Sequence, residues 1–192
     1  MTGVIPDGGP EATSRALERV GDARAVVLVE GFSDQIALET LAKRRGRDLE
    51  REGVAIVPIG GAQALGRFLR RFGDRRVAGL CDAGEKDVFL RGFGRAGLDR
   101  RDFHVCVEDL EDELIRALGA DAVEAVLEAN GDLDPFRTFQ KQPAWRGRRV
   151  EAQLRRFMGS ADRRKLRYAR LLVEALELEA MPRPLDGVLA RV

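Results

Sequence analysis

The stretch AVVLVEGFSD (residues 25–34) ends a hydrophobic run in Glu30, turns through Gly31 and reaches a second acid at Asp34. The pattern returns twice. RVAGLCD ends in Asp82 with Glu85 just beyond, and DFHVCVED ends in Glu108 and Asp109 with Glu111 just beyond. Donors that are all carboxylate oxygens suit Mg2+ or Mn2+ rather than zinc or copper. Such acids, once gathered, repel one another unless a cation lies between them or protons are shared. One or two such ions activate water and stabilise phosphoryl transfer. A plainer reading exists for Asp34, Glu85 and Glu111, because the helix dipole favours acids in a first turn. It accounts poorly for Glu30 and Asp82, which end strand-like runs.

Other chemistries find little support. His104 is the one histidine, and Cys81 and Cys106 both sit in apolar runs with no CxxC spacing. A zinc site or a histidine-activated nucleophile is therefore not expected, and the cysteines read as buried small hydrophobes. Gly60 and Gly61 in PIGGAQAL could bring backbone N–H groups to a phosphate at the start of the next helix, or could form a plain tight turn. No GxxxxGK[ST] phosphate loop occurs.

Positioning these acids requires a particular fold. Apolar runs at RAVVLVE, VAIVPIG, RVAGLCD and DFHVCVE alternate with amphipathic stretches at SDQIALETLAKRRG, AQALGRFLRRFG, residues 86–96 and LEDELIRALG. Ser33 is the expected cap of the first helix. Continuous apolar strands separated by helices predict an α/β fold: a Rossmann-like, four-stranded parallel sheet with helices on both faces. In such sheets ligands bind outside the carboxyl ends of the strands, the edge where these acids collect. The expected layout is a lead-in over 1–20 with a short helix at Ser14–Val20, an α/β domain over 21–118, and a C-terminal helical extension over 119–192. Within the extension, residues 132–149 contain two prolines and read as a long basic loop.

The totals narrow the class. The chain has 192 residues, 44% hydrophobic and 34% charged, and a formal net charge of +1. Bulk charge thus singles out neither nucleic acid nor membrane. No long apolar span or leader is apparent, so a soluble cytoplasmic protein without a membrane partner is expected. The charge is unevenly spread: residues 99–134 hold 12 acids and 3 bases, residues 137–170 hold 2 acids and 12 bases. The two blocks could neutralise each other, or acids could hold metal while bases hold a phosphate backbone. For the latter, the candidates are Lys141, Trp145, Arg146, Arg148, Arg149, Arg155, Arg156, Arg163 and Arg164. Trp145, Phe136, Phe139 and Tyr168 are available for base stacking.

With these residues in place, the sequence resembles a known family. VVLVEGFSD followed by GLCDAGE, about 50 residues apart, resembles the TOPRIM domain of topoisomerases, bacterial-type primases, recombination mediators and OLD-family (overcoming lysogenization defect) nucleases. VEGFSD, IGGAQALGRFL and DLEDELIRAL are most similar to the OLD branch, over roughly residues 24–118. The resemblance implies acid–base or metal chemistry at Glu30, and metal binding at Asp34, Asp82 and Glu111, with Glu85 and Asp109 as further candidates. It implies that Lys165, in RRKLRYARLL, assists the transition state. It also implies a separate ATPase partner, since no phosphate loop is present. The oligomeric state is open, a homodimer included. One departure stands out: the second aspartate of the DxD motif is replaced by Gly84.

The expected function is therefore a divalent-metal-dependent nuclease or nucleotidyl transferase acting on DNA or RNA phosphodiesters. The alternative is a catalytically degraded TOPRIM module that binds nucleic acid or a partner protein, which Gly84 favours. A small-molecule phosphotransferase is disfavoured by the extent of the basic segment.

Overall fold

The computed structural model describes residues 20, 21, 23–72 and 74–192. The lead-in and the helix expected at Ser14–Val20 lie outside the described residues, Val20 excepted. Four strands form one parallel sheet: β1 (Ala25–Val29), β2 (Val54–Pro58), β3 (Arg76–Cys81) and β4 (Phe103–Val105), in the order β2-β1-β3-β4. The central strand β1 pairs on both sides, with Val27 opposite Ile56 and opposite Ala78. All five of its residues are buried. Successive side chains point to opposite faces of a strand, and each face needs an apolar cover. That is why AVVLV is continuously hydrophobic rather than alternating.

The two faces have different covers. Val26 and Leu28 pack with α2 (Leu65–Phe72) and α3 (Lys86–Arg95) through Phe68, Leu69, Phe89 and Phe93. Gly79 makes room in mid-strand: a Cβ there would lie 3.1 Å from Phe93 and 3.2 Å from Phe89. Val27 and Val29 face the other side. There they share one apolar cluster with α1 (Phe32–Arg44), α4 (Leu110–Leu118), α5 (Ala120–Ala129), α6 (Leu133–Gln140), α7 (Val150–Met158), α8 (Asp162–Ala175) and α9 (Arg183–Leu189). The C-terminal helices therefore complete a face of the sheet. Burying each valine or leucine there contributes about 1.5–3 kcal/mol.

Polar ties reinforce that docking. Arg44 donates to the carbonyls of Val173 and Leu176, satisfying acceptors at the end of α8. Arg45 pairs with Asp186 at 2.6 Å, and Arg47 donates to the Leu189 carbonyl at 2.7 Å. The basic tail of α1 thus holds the last two helices. α9 also packs over the sheet: a Cβ on Gly187 would come within 2.4 Å of the His104 ring.

Two local expectations need correction. Half of the supposed loop 132–149 is the helix α6. Pro135 lies in its first turn, where no intrahelical N–H bond is required. Phe136, the next residue, is fully buried against Phe157 at 5.3 Å between ring centroids. Ser33 is also not the cap of α1. Gly31 is, because the Asp34 side chain reaches back to accept from the Gly31 N–H at 2.9 Å.

Candidate functional site

Parallel order brings the carboxyl ends of β1 and β3 side by side. The Glu30 carboxylate accepts a hydrogen bond from the Asp82 N–H at 2.7 Å, joining residues 52 apart in sequence. The Glu30 carbonyl accepts from Gly60 and Gly61 N–H groups at 3.1 and 3.2 Å. Both glycines have positive φ, 73° and 104°, a conformation natural to glycine. The glycine pair therefore anchors the backbone of Glu30, a role the sequence reading did not assign.

Asp34 and Glu111 are both buried and both begin helices. Lys165, from α8, lies 3.5 Å from Glu111, whose other carboxylate oxygen is buried with no partner among the described residues. Asp109 caps α4 by accepting from the Asp112 N–H and pairs with Arg155 at 2.7 Å. Glu85 closes a short 3-10 turn after Asp82 and is near enough to raise the pKa of Glu30. A Cβ at Gly84 would meet nothing within 4 Å, so no steric demand requires glycine there.

Electrostatics binds these residues into one group. Burial pushes Asp34 up to about 7, opposed by the Gly31 N–H and Lys165 and aided by Glu111 and Glu30. Burial, then Asp34, Glu30 and Asp109, push Asp82 up to about 8. Glu30 and Glu111 are raised chiefly by burial, and Lys165 offsets part of each rise. Lys165 itself is depressed by burial but raised overall by Glu111, Asp34, Asp82 and Asp109. Burial and mutual repulsion thus favour the protonated forms of these carboxyls relative to free ones.

The donor chemistry and the orphaned Glu111 oxygen suit a hard divalent cation. The placement is less complete. Among the described residues, no group of three or more Asp, Glu, His or Cys side chains stands close enough to hold a metal ion. Glu30, Asp34, Asp82 and Glu111 feel one another's fields without forming a coordination shell.

The basic candidates separate into two kinds. Lys141, Arg146, Arg148, Arg156 and Arg163 are exposed and have no carboxylate partner among the described residues. Arg155 is engaged by Asp109, and Arg149 pairs with Glu151 at 3.3 Å. Arg164 lies 4.0 Å over the Phe157 ring and donates to Ser160 at 2.9 Å. Of the aromatic candidates, Phe136 and Tyr168 are core residues and cannot meet a base. Tyr168 instead donates to Asp132 at 2.7 Å. Phe139 and Trp145 are half-buried and 5.3 Å apart, lining a groove of about 660 Å³ with Arg156 and Arg164. Cys81 and Cys106 are buried and their thiols pushed up, which keeps them inert.

Fold and site together define a class: a parallel α/β domain with linked carboxylates at the carboxyl edge of its sheet. Residues 23–80 match the family described as "Overcoming lysogenization defect protein-like, TOPRIM domain". The solved C-terminal region of the Burkholderia pseudomallei OLD protein is similar at a TM-score of 0.65 and 16% identity, covering 88% of this chain and 96% of that one. The C-terminal region of the Xanthomonas campestris pv. campestris OLD protein, phased with platinum, is similar at a TM-score of 0.66 and 17% identity, covering 91% and 94%. At these identities the likeness is one of fold. No functionally curated protein matches the chain in sequence. No described helix is long and apolar enough to cross a membrane.

Proposed function

We propose that this chain is a nucleic-acid-binding TOPRIM module whose basic helical surface delivers a phosphate backbone to the acidic edge of the sheet. One observation carries this reading: Lys141, Arg146, Arg148, Arg156 and Arg163 are exposed without carboxylate partners among the described residues. Arg155 and Lys165 reach from the same helical layer to Asp109 and Glu111. Unpaired surface guanidinium groups suit phosphate oxygens. The groove at Phe139 and Trp145 adds a flat apolar surface on which a base can stack. Binding should weaken steeply with salt, because each phosphate contact releases counterions.

Titration of fluorescently labelled single-stranded and duplex DNA and RNA across a salt series tests the reading. Trp145 is the protein's one tryptophan, so quenching of its emission reports stacking directly. Absence of salt-sensitive binding to all four probes would overturn the proposal.

A second reading, divalent-metal-dependent phosphodiester cleavage, is favoured by the upward-shifted Asp34 and Asp82 and the orphaned Glu111 oxygen. Glu30, Asp34, Asp82 and Glu111 would hold the ion, which supplies Lewis-acid stabilisation and activation of water. Lys165 would place positive charge beside the reacting phosphate. Cleavage with Mg2+ or Mn2+ that drops at least about a hundredfold in Glu30→Ala supports this reading. Retained binding without cleavage under either metal leaves the module alone. A separate ATPase partner belongs to the same proposal and is testable by co-purification.

A further inference from the structure

The sheet face opposite the C-terminal helices carries a second set of unpaired arginines. α2 and α3 approach closely there, because Gly92 has no side chain: a Cβ on it would lie 2.6 Å from Leu65 Cδ2. The closeness brings Arg70 of α2 and Arg91 and Arg95 of α3 to one groove of about 610 Å³. Gly66, Gly92 and Ala96 help form its lining, and no acid lines it. All three arginines are exposed and have no ion-pair partner among the described residues. Ala62 and Gln63 line the same groove. They directly follow the Gly60–Gly61 turn whose N–H groups hold the Glu30 carbonyl.

The groove therefore begins beside the acidic edge and runs along two helices on the face that C-terminal arginines do not reach. None of the three pairs with an acid or covers an aromatic ring among the described residues, unlike Arg67, which lies 5.3 Å over Phe68. Arg70 and Arg95 lie in the last turns of their helices, where the dipole favours a cation. Three uncompensated guanidinium groups around an acid-free groove form a site for an anion. Its open, elongated shape suits successive phosphates of a chain. We propose that this groove is a second phosphate-backbone contact for nucleic acid, so that a strand crossing the acidic edge is held on both faces of the sheet. The proposal rests on the nucleic-acid reading above and names where that ligand continues.

The test compares the wild-type chain with the triple variant Arg70→Gln/Arg91→Gln/Arg95→Gln, using fluorescence anisotropy of labelled DNA over a salt series. Each lost phosphate contact should lower the slope of log affinity against log salt by about 0.7–0.9, so three should lower it by about 2–3. Affinity at low salt should fall at least about tenfold. The corresponding triple lysine variant should keep most of the slope. Three exposed arginines elsewhere, in Arg51→Gln/Arg100→Gln/Arg183→Gln, should change little. Circular dichroism melts check that each variant folds. Wild-type binding with an unchanged slope in the Arg70/Arg91/Arg95 variant overturns the groove and leaves the nucleic-acid reading intact. An equal loss in the control triple also overturns it, since net charge alone would then be responsible. A wild-type chain that binds no nucleic acid overturns both.

Discussion

The acidic edge and the arginine surfaces treat charge in opposite ways. At the edge, like charges are buried or half-buried and held by specific partners: Glu30 by the Asp82 N–H, Asp34 by the Gly31 N–H, Glu111 by Lys165. On the helices, Arg70, Arg91, Arg156 and Arg163 stand in solvent without carboxylate partners among the described residues. Burying like charges costs stability and is tolerated only where the fold over-determines it. Exposed arginines cost little and change little when removed. The first region should therefore respond to mutation through stability and pH, the second through ligand binding and salt.

The largest expected departure comes from breaking the Lys165–Glu111 tie within the acids. Lys165→Met leaves Glu111 buried without its partner, and should lower stability by about 2–3 kcal/mol at pH 8 in urea denaturation. Adding Glu111→Gln should restore most of that loss. If Lys165→Met is as stable as wild type, the field attributed to the acidic group is overstated.

Next comes the protonation of the edge. When a folded-state carboxyl pKa is raised, the native chain holds more protons than the unfolded chain between the two values. Stability then falls as pH rises through that window. For Asp82 the window runs from the ordinary 3.8 to about 8, and for Asp34 from 3.8 to about 7. Asp82→Asn should thus raise the unfolding free energy at pH 8 by about 1–2 kcal/mol after allowance for partial exposure, and by less at pH 5, as urea denaturation at the two pH values would show. A pH-independent effect would contradict the electrostatic account.

A smaller effect is expected from completing the acid set. Because a Cβ at position 84 would meet nothing within 4 Å, Gly84→Asp should fold normally. It should enlarge the Mg2+-induced rise in melting temperature at pH 8 relative to wild type. No difference would indicate that position 84 does not face the ion. The smallest stability effect belongs to the opposite region. Arg156→Gln should alter stability by less than about 0.5 kcal/mol, while reducing the salt slope of nucleic-acid binding by about 1.

Much of the scaffold was legible in local pattern. Five-residue apolar runs and amphipathic stretches placed β1, β2, β3 and the helices after them. The acids at the ends of β1 and β3 followed from the same alternation. Pro135 misled, because a proline that breaks a helix interior is harmless in a first turn. Phe136 and Tyr168 were read as available for bases from their basic neighbours, whereas each lies on the apolar side of its own helix. The arginines at 70, 91 and 95 escaped notice because they are spread over two helices and form no run.

By itself, the sequence determined the periodicities, and hence the alternating fold, the burial of β1 on both faces and the edge on which Glu30 and Asp82 emerge. These depend on residues within one or two turns of each other. Only the tertiary structure decided which charges meet. The Glu30–Asp82 bond, the Lys165–Glu111 pair and the Arg155–Asp109 pair span 46 to 54 residues and depend on how helices dock across the sheet. Docking is settled by shape and apolar contact, such as the approach allowed at Gly92 and the cluster shared by Val27, Leu114 and Leu172. A charge's partner is set by that packing, so it cannot be read from the charge's place along the chain.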